Sequence, residues 1–152
     1  MKIRDILEQA WTIASVGASK DPSKAAGGVP PYLKEIGFRV VPINPNATEL
    51  YGVKAYSRLV ELEESPEVVQ VFRPSEEAPE IARQAVQIGA NALWLQLGIR
   101  SEEARQIAEA AGLAYVEDRC MAVESRRLGI SKSTWRNSEG SRGRDEYLRH
   151  RT

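Results

Sequence analysis

The chain of 152 residues carries 21 lysines and arginines against 21 aspartates and glutamates, and 42% of its residues are hydrophobic. This size and composition predict one domain with a buried core. The net charge of zero argues against a dedicated nucleic-acid binder. The single cysteine excludes an internal disulfide and a multi-cysteine metal cluster. The single histidine, His150, is nearly terminal, which excludes histidine metal sites, Ser-His-Asp hydrolysis and phosphohistidine chemistry in the body.

No export signal or membrane span is expected. The first ten residues, MKIRDILEQA, carry charges throughout. No apolar run approaches the roughly 18–20 residues that cross a bilayer. The sequence therefore predicts a cytoplasmic protein, and a single unpaired cysteine fits a reducing compartment.

Apolar periodicity divides the chain into short strands that alternate with helices. Five strands are predicted, over residues 11–16, 38–43, 68–72, 92–97 and 113–116. Helices are predicted over 3–10, from Pro30 and Pro31 in a first turn to Ile36, from the N-cap Ser75 to Ile88, and from Ser101 to about Ala111. The remaining segments are a loop over 18–28, a short helix near 57–63 and a short segment from 121 to 128.

Strands and helices that alternate at these spacings predict an α/β fold. The expected architecture is a doubly wound, mostly parallel five-stranded sheet with helices on both faces, most simply in strand order 3-2-1-4-5. The body is predicted to span residues 1–130. Residues 131–152 are rich in serine and arginine and lack apolar periodicity, which predicts a basic, flexible C-terminal tail of about +3 charge.

The loop after the first strand is the strongest local signal. Gly17 permits a tight turn and close approach of a pyrophosphate, while Ser19, Ser23 and Lys24 add hydroxyls and a positive charge. Neither the G-x-G-x-x-G fingerprint nor a P-loop is present, and Asn44 stands where an acid would bind the ribose of NAD. A phosphate-binding loop and an ordinary flexible loop both remain open on these residues.

Two further residues attract attention at strand ends. Arg73 lies between Phe72 and Pro74, where its fork suits a phosphate and its neighbours offer flat apolar surfaces to a base. The alternative is a solvated arginine at a strand-to-helix turn. Cys120 follows the fifth strand and is either a buried structural residue or a thiol that exchanges with a ligand thiol.

The strand ends together resemble those of the small stand-alone CoA-binding proteins, which are similar to the CoA-binding Rossmann-like domain of the succinyl-CoA synthetase α-subunit. The resemblance covers about residues 8–130. It rests on five segments in order, Val16-Gly17-Ala18-Ser19, Val41-Pro42-Ile43-Asn44-Pro45, Val71-Phe72-Arg73-Pro74, Trp94-Leu95-Gln96-Leu97-Gly98 and Asp118-Arg119-Cys120.

The resemblance implies a site for coenzyme A or acyl-CoA. In it, the first loop would hold the phosphates through Gly17, Ala18, Ser19 and Lys24. The nucleotide would lie along Asn44 and Pro45 and would be bordered by Phe72, Arg73 and Pro74. The pantetheine side would face Gln96 and Gly98. The synthetase's second domain and its phosphate-carrying histidine have no counterpart in the body, so binding without catalysis is expected.

Two alternatives to a CoA-binding module stay open. One is a nicotinamide-nucleotide-dependent oxidoreductase on the same fold, against which the missing fingerprint and missing acid count. The other is a subunit that kept the fold, lost the ligand and binds a protein partner.

Overall fold

The computed structural model describes residues 1–132. Of the predicted tail over 131–152, only Ser131 and Lys132 fall within this range, and His150 lies outside the described residues.

The body is built on a five-stranded sheet in which every strand pair is parallel. Its strands are β1 (Thr12–Val16), β2 (Arg39–Ile43), β5 (Val68–Val71), β6 (Ala92–Leu95) and β7 (Ala114–Val116). A separate antiparallel pair consists of β3 (Glu49–Leu50) and β4 (Val53–Lys54). The helices are α1 (Ile3–Gln9), α2 (Ala25–Glu35), α3 (Ala78–Gln87), α4 (Glu102–Ala110) and α5 (Met121–Arg127). Single 3₁₀ turns lie at Leu59–Glu61 and Ser75–Glu77.

Successive residues of each strand point to opposite sides of the sheet. Both faces of the sheet are buried, each in its own apolar core. Ile13, paired with Val40 and Val68, belongs to the core beneath α1, α2 and α5. Ala14, paired with Val41 and Val69, belongs to the core beneath α3 and α4. The strands are therefore continuously apolar rather than alternating. This arrangement confirms the predicted doubly wound α/β fold.

The predicted strand order was wrong. The observed order is β2-β1-β5-β6-β7, so the third long strand pairs with β1 and leaves β2 at the edge. Right-handed crossovers permit both orders, and the apolar pattern cannot distinguish them. Pro42 could have indicated that β2 is an edge strand, since a proline cannot donate a ladder hydrogen bond and within sheets is confined to edges. Its carbonyl faces away from β1 and accepts from the N–H of Tyr56 at 2.9 Å.

Two predicted helix starts were also wrong. Helix α2 begins at Ala25, inside the predicted loop, and carries Pro30 and Pro31 in its interior rather than in its first turn. Ser75 does not cap the following helix. Its hydroxyl oxygen accepts from the N–H of Arg100 at 3.1 Å, and a 3₁₀ turn precedes α3. Ser101, by contrast, caps α4 by accepting from the N–H of Ala104.

The segment between β2 and β5 folds into a compact flap. Tyr51 and Gly52 both have positive φ, 56° and 75°, which is the two-residue geometry that joins β3 to β4. Leu50 and Ala55 of this flap pack on Ala18 after β1. The hairpin therefore packs against the loop after β1. The short helix predicted near 57–63 is a single 3₁₀ turn at Leu59–Glu61.

The last described residue is attached to the body rather than extended from it. Lys132 is 8% exposed. Its backbone N–H donates to Ile36 O, and its Nζ donates to Glu8 O at 2.7 Å. Over residues 1–132, no helix has both the length and the apolar character that crossing a membrane requires.

Candidate functional site

A cleft of about 660 Å³ opens at the carboxyl ends of β1, β2 and β5. This is the switch point of the sheet, because the chain leaves β1 toward β2 on one side and returns to β5 on the other. Doubly wound folds bind their ligands in such a crevice. The cleft is lined by Val16, Gly17, Ala18, Ser19, Lys24, Ala26, Ile43, Asn44, Pro45, Asn46, Ser57, Arg58, Leu59, Phe72, Arg73, Glu77, Ile81 and Gln84.

Two glycines allow the loop after β1 to lie close to its neighbours. Gly17 has φ of +86°, and a Cβ there would lie 2.9 Å from Cδ of Arg73. At Gly27, in the first turn of α2, a Cβ would lie 1.8 Å from the carbonyl oxygen of Asp21. The loop is thus enclosed between the Arg73 stem and the start of α2.

The prolines of α2 also contribute to the loop. Pro30 has no N–H to give to the carbonyl of Ala26, four residues earlier. That carbonyl accepts instead from the N–H of Ser19 at 2.9 Å and is 2.7 Å from the Tyr51 hydroxyl. The same hydroxyl is 2.7 Å from Ser19 O. The Ala26 carbonyl, which Pro30 leaves without its usual helical donor, therefore links the loop after β1 to α2 and to the flap.

The phenol of Tyr51, in the turn of the flap hairpin, is half-buried against the loop after β1 and the start of α2. Burial raises the pKa of Tyr51 to about 12, and its hydrogen bond to Ser19 opposes this rise. The phenol therefore stays protonated and able to donate throughout the neutral range.

The loop after β2 is fastened to the first loop by one side chain. Asn44 donates from Nδ2 to Ala18 O at 2.9 Å and accepts at Oδ1 from the N–H of Asn46 at 2.7 Å. Both ends of its amide are therefore used to fix the loops. Asn44 shapes the cleft wall where the sequence placed it along a nucleotide.

Arg73 is already paired in this structure. Its Nε and Nη2 donate to the two carboxylate oxygens of Glu77 at 3.1 and 2.8 Å. The guanidinium holds the pKa of Glu77 below its usual value. Since Glu77 also lines the cleft, this pair adds almost no net charge to it. A phosphate held by Nε and Nη2 of Arg73 would have to displace Glu77, whereas Nη1 makes no bond to that carboxylate.

Positive charge in the cleft comes from two other residues. Lys24 and Arg58 both line it and are exposed, and neither makes an ion pair with any residue from 1 to 132. Lys24 also occupies the N-cap position of α2, whose first turn contains no acidic residue. The positive end of the helix dipole therefore adds to the lysine charge.

The structure brings together eight of the residues predicted for the site. These are Gly17, Ala18, Ser19, Lys24, Asn44, Pro45, Phe72 and Arg73. Arg58, Ser57 and Asn46 were not predicted. Arg58 lay in the segment from 47 to 66, where the sequence showed only a short helix, and a polar loop residue there carries no periodic signal.

Four other predicted residues are not among those that line the cleft. Ser23 gives its hydroxyl to Asp21 Oδ1 at 2.7 Å, and the hydrogen bonds from Ser23 lower the pKa of that carboxyl. Pro74 precedes the 3₁₀ turn at the end of β5. Gly98 donates its N–H to Asp118 in the turn after β6. Gln96 is 3% exposed and belongs to the core.

Gln96 ends a buried polar chain that crosses the sheet. Ser15 donates to Gln70 Oε1 at 2.7 Å, and Gln70 Nε2 donates to Gln96 Oε1 at 3.2 Å. Gln96 Oε1 also accepts from the N–H of Met121 at 3.0 Å. This side chain fixes the start of α5. Cys120, just before α5, is half-buried and does not line the cleft.

Four ionisable side chains line the cleft, and three of them are basic. Its ionisable side chains are Lys24, Arg58, Arg73 and Glu77. Within the described part of the chain, no group of three or more histidine, cysteine, aspartate or glutamate residues could hold a metal ion. The arrangement is suited to holding an anionic ligand against apolar strand ends.

Fold and cleft together define a class, the doubly wound α/β proteins with a ligand crevice at the switch point. The family model described as CoA binding domain matches residues 11–126, and the chain belongs to this family. The matched range includes all five strands and the whole cleft.

The relatives fall into two kinds. The uncharacterized protein YneT of Bacillus subtilis is 34% identical over 122 residues, which are 80% of this chain and 90% of YneT. The structure of cell-free ID.343 from Thermus thermophilus is 41% identical with a TM-score of 0.79, covering 84% of this chain and 99% of that one. Both match it over nearly their whole lengths.

The second kind is much larger. A dinucleotide forming acetyl-coenzyme A synthetase 1 from Ca. Korarchaeum cryptofilum, in complex with phosphate and ADP, is 27% identical with a TM-score of 0.64. The match covers 70% of this chain but 25% of that one. The chain thus corresponds to the CoA-binding part of such a synthetase.

Proposed function

We propose that this protein binds coenzyme A or an acyl-CoA in the cleft at the ends of β1, β2 and β5, without catalysis of its own. The observation that supports this most is the match of the CoA binding domain family to residues 11–126, because that range contains every cleft residue. The bound molecule would serve as a signal or a cargo for a protein partner.

The residues present fit such a ligand. The pyrophosphate would lie at the start of α2, where the N–H groups of Ala25 and Ala26 belong to the first turn and have no partner within the helix. Lys24 supplies charge at the same point. The cleft of about 660 Å³ is of the size that small-molecule sites usually have, about 300–1,000 Å³.

The loop after β1 and the wall of the cleft at the end of β5 would then recognise different parts of the ligand. Ser19 and Lys24 face the phosphates, and Phe72 and the stem of Arg73 offer apolar surface to the adenosine. Arg73 would exchange Glu77 for a phosphate oxygen. Breaking the Arg73–Glu77 pair costs little free energy, because exposed ion pairs contribute only about 0–1 kcal/mol.

Calorimetric titration with CoA, acetyl-CoA, NAD, NADP and ATP tests the proposal. We expect CoA or acetyl-CoA to bind most tightly. Lys24→Ala should weaken that binding by about 1–3 kcal/mol through loss of a charge-assisted contact. Lys34→Ala is the matched control, since Lys34 is exposed in the last turn of the same helix.

Three outcomes contradict the proposal. Tighter binding of NAD or NADP than of CoA would favour an oxidoreductase. Absence of heat with every nucleotide would favour a subunit that binds a protein partner through this fold. Turnover of acetyl-CoA by the purified chain would show catalysis of its own.

A further inference from the structure

One positively charged residue of the cleft, Arg58, was indicated by neither the family resemblance nor a sequence motif. Seven described arginines lie within ion-pair distance of a carboxylate, among them Arg73 in the cleft itself. Arg58 lines the cleft and makes no such pair within residues 1–132. The nearby carboxylate of Glu61 accepts from the hydroxyl of Ser57 instead. Arg58 therefore adds a positive charge to the lining of the cleft that no carboxylate of residues 1–132 pairs.

The position of Arg58 relative to the sheet is defined by hydrogen bonds. Tyr56 runs parallel to the end of β2, donating its N–H to Pro42 O and accepting at its carbonyl from the N–H of Asn44 at 2.8 Å. Arg58 follows two residues later. It thus stands beside the carboxyl end of β2 and lines the same cleft as Lys24 at the start of α2.

In dinucleotide-binding folds of this kind, the end of the second strand faces the adenine-linked ribose. An acidic residue there accepts from a free ribose diol, whereas an arginine accommodates a ribose that carries a phosphate. Here Asn44 follows the strand directly, and its amide is already engaged at both ends by Ala18 and Asn46. None of the cleft residues in the segment between β2 and β5 is acidic, so that segment offers no carboxylate to a bare diol.

We propose that Arg58 is a specificity-determining residue that selects an adenine nucleotide whose ribose carries a phosphate. The inference rests on the proposed function for the 3′-phosphate of CoA, but the same chemistry would also recognise the 2′-phosphate of NADP. Arg58 then separates CoA from dephospho-CoA, while Lys24 and the α2 N-terminus bind the pyrophosphate that both share.

The test compares CoA with dephospho-CoA, which lacks only the ribose phosphate, by calorimetric titration. The wild-type chain should prefer CoA by roughly 10-fold to 100-fold, the range that one charged hydrogen bond provides. In Arg58→Gln the affinity for CoA should fall by that factor, while the affinity for dephospho-CoA stays the same. Arg105→Gln, which removes an exposed arginine from α4, should match the wild type with both ligands.

The outcomes separate this inference from the function on which it rests. Equal binding of CoA and dephospho-CoA by the wild type overturns the role of Arg58 and leaves CoA binding intact. Retained discrimination in Arg58→Gln does the same. Tighter binding of NADP than of NAD, with no binding of CoA and loss of the preference in Arg58→Gln, supports the inference and overturns the proposed function. Absence of binding by every nucleotide overturns both. Unchanged thermal unfolding of Arg58→Gln, which alters an exposed side chain, verifies that the fold is intact.

Discussion

Substitution of Gly27 by alanine should loosen the cleft although Gly27 does not line it. The new Cβ would lie 1.8 Å from the carbonyl oxygen of Asp21 and 2.4 Å from its carbonyl carbon. Real Cβ atoms essentially never approach closer than 3.0 Å, so the Asp21 peptide would have to retreat by more than 1 Å. That peptide accepts from the N–H of Lys24, and the Asp21 N–H donates to the Ser19 hydroxyl. The displacement therefore moves Ser19 and Lys24, the two residues proposed to face the phosphates.

The magnitude follows from the nature of the clash. Overpacking usually costs about 1–3 kcal/mol, and a clash with backbone rather than with a flexible side chain belongs at the upper end. Loss of the Lys24 hydrogen bond adds about 1 kcal/mol, and the better helix propensity of alanine offsets about 1 kcal/mol. We expect a net loss of about 2–3 kcal/mol and a fall in Tm of about 8 °C, measured by circular dichroism.

Gly28→Ala provides a matched control at the next residue. Its Cβ would lie 3.6 Å from Pro22 O, an ordinary contact, so alanine should stabilise the helix by about 0.5–1 kcal/mol. The same substitution should thus lower the free energy of unfolding at position 27 and raise it at position 28. Equal stability of the two variants would refute the packing of the loop against α2. Unchanged CoA affinity in Gly27→Ala would refute the proposed effect of that packing on the cleft.

Three other perturbations test the supports of the fold. Between about pH 10 and 12 the free energy of unfolding should fall, because the unfolded chain releases the Tyr51 proton near pH 10 and the folded chain holds it to about pH 12; Tyr51→Phe should reduce this fall in a urea titration at each pH. Glu67→Leu should destabilise by about 2–4 kcal/mol, since Oε1 accepts from two buried backbone N–H groups at 2.6 Å each, while Glu67→Gln keeps an acceptor and should lose much less in urea. Gln96→Leu should cost about 1–3 kcal/mol by orphaning the N–H of Met121, as measured by thermal unfolding.

Each of these has a contradicting result. A pH profile that is the same with phenylalanine at position 51 would show that another group titrates. Equal stability of the leucine and glutamine variants at position 67 would show that its acceptor is unimportant. A Gln96→Leu variant as stable as the wild type would show that the buried polar chain contributes nothing.

The sequence predicted the elements of the sheet better than their assembly. Continuous apolar runs between helices were enough for the five strands, since burial on both faces leaves that pattern. The strand order depends on where one crossover goes, and Pro42 was the local residue that could have indicated an edge strand. Helix α2 was placed too late because glycines and prolines are read as breakers, whereas here the missing Cβ and missing N–H serve contacts with the loop.

The residues of the candidate site were likewise predicted only in part. Residues directly after β1, β2 and β5 could be predicted, because parallel strands bring their carboxyl ends to one edge. Gln96 and Gly98 follow β6, one strand beyond the switch point, and so lie outside the cleft. Arg58 comes to the cleft through the irregular flap, whose course depends on the Tyr56 bridge to β2, a long-range contact without a periodic signature.

The attachment of Lys132 to Glu8 and Ile36 has a practical consequence for how the domain can be handled. These contacts lie where α1 and α2 end, just before β1 and β2 begin, and Met1 lies near the start of β5 and β6. The chain therefore enters and leaves the described domain at the pole opposite the cleft. A dye, surface linker or fusion partner joined at Met1 or after Lys132 would start from that pole, leaving the mouth of the cleft accessible.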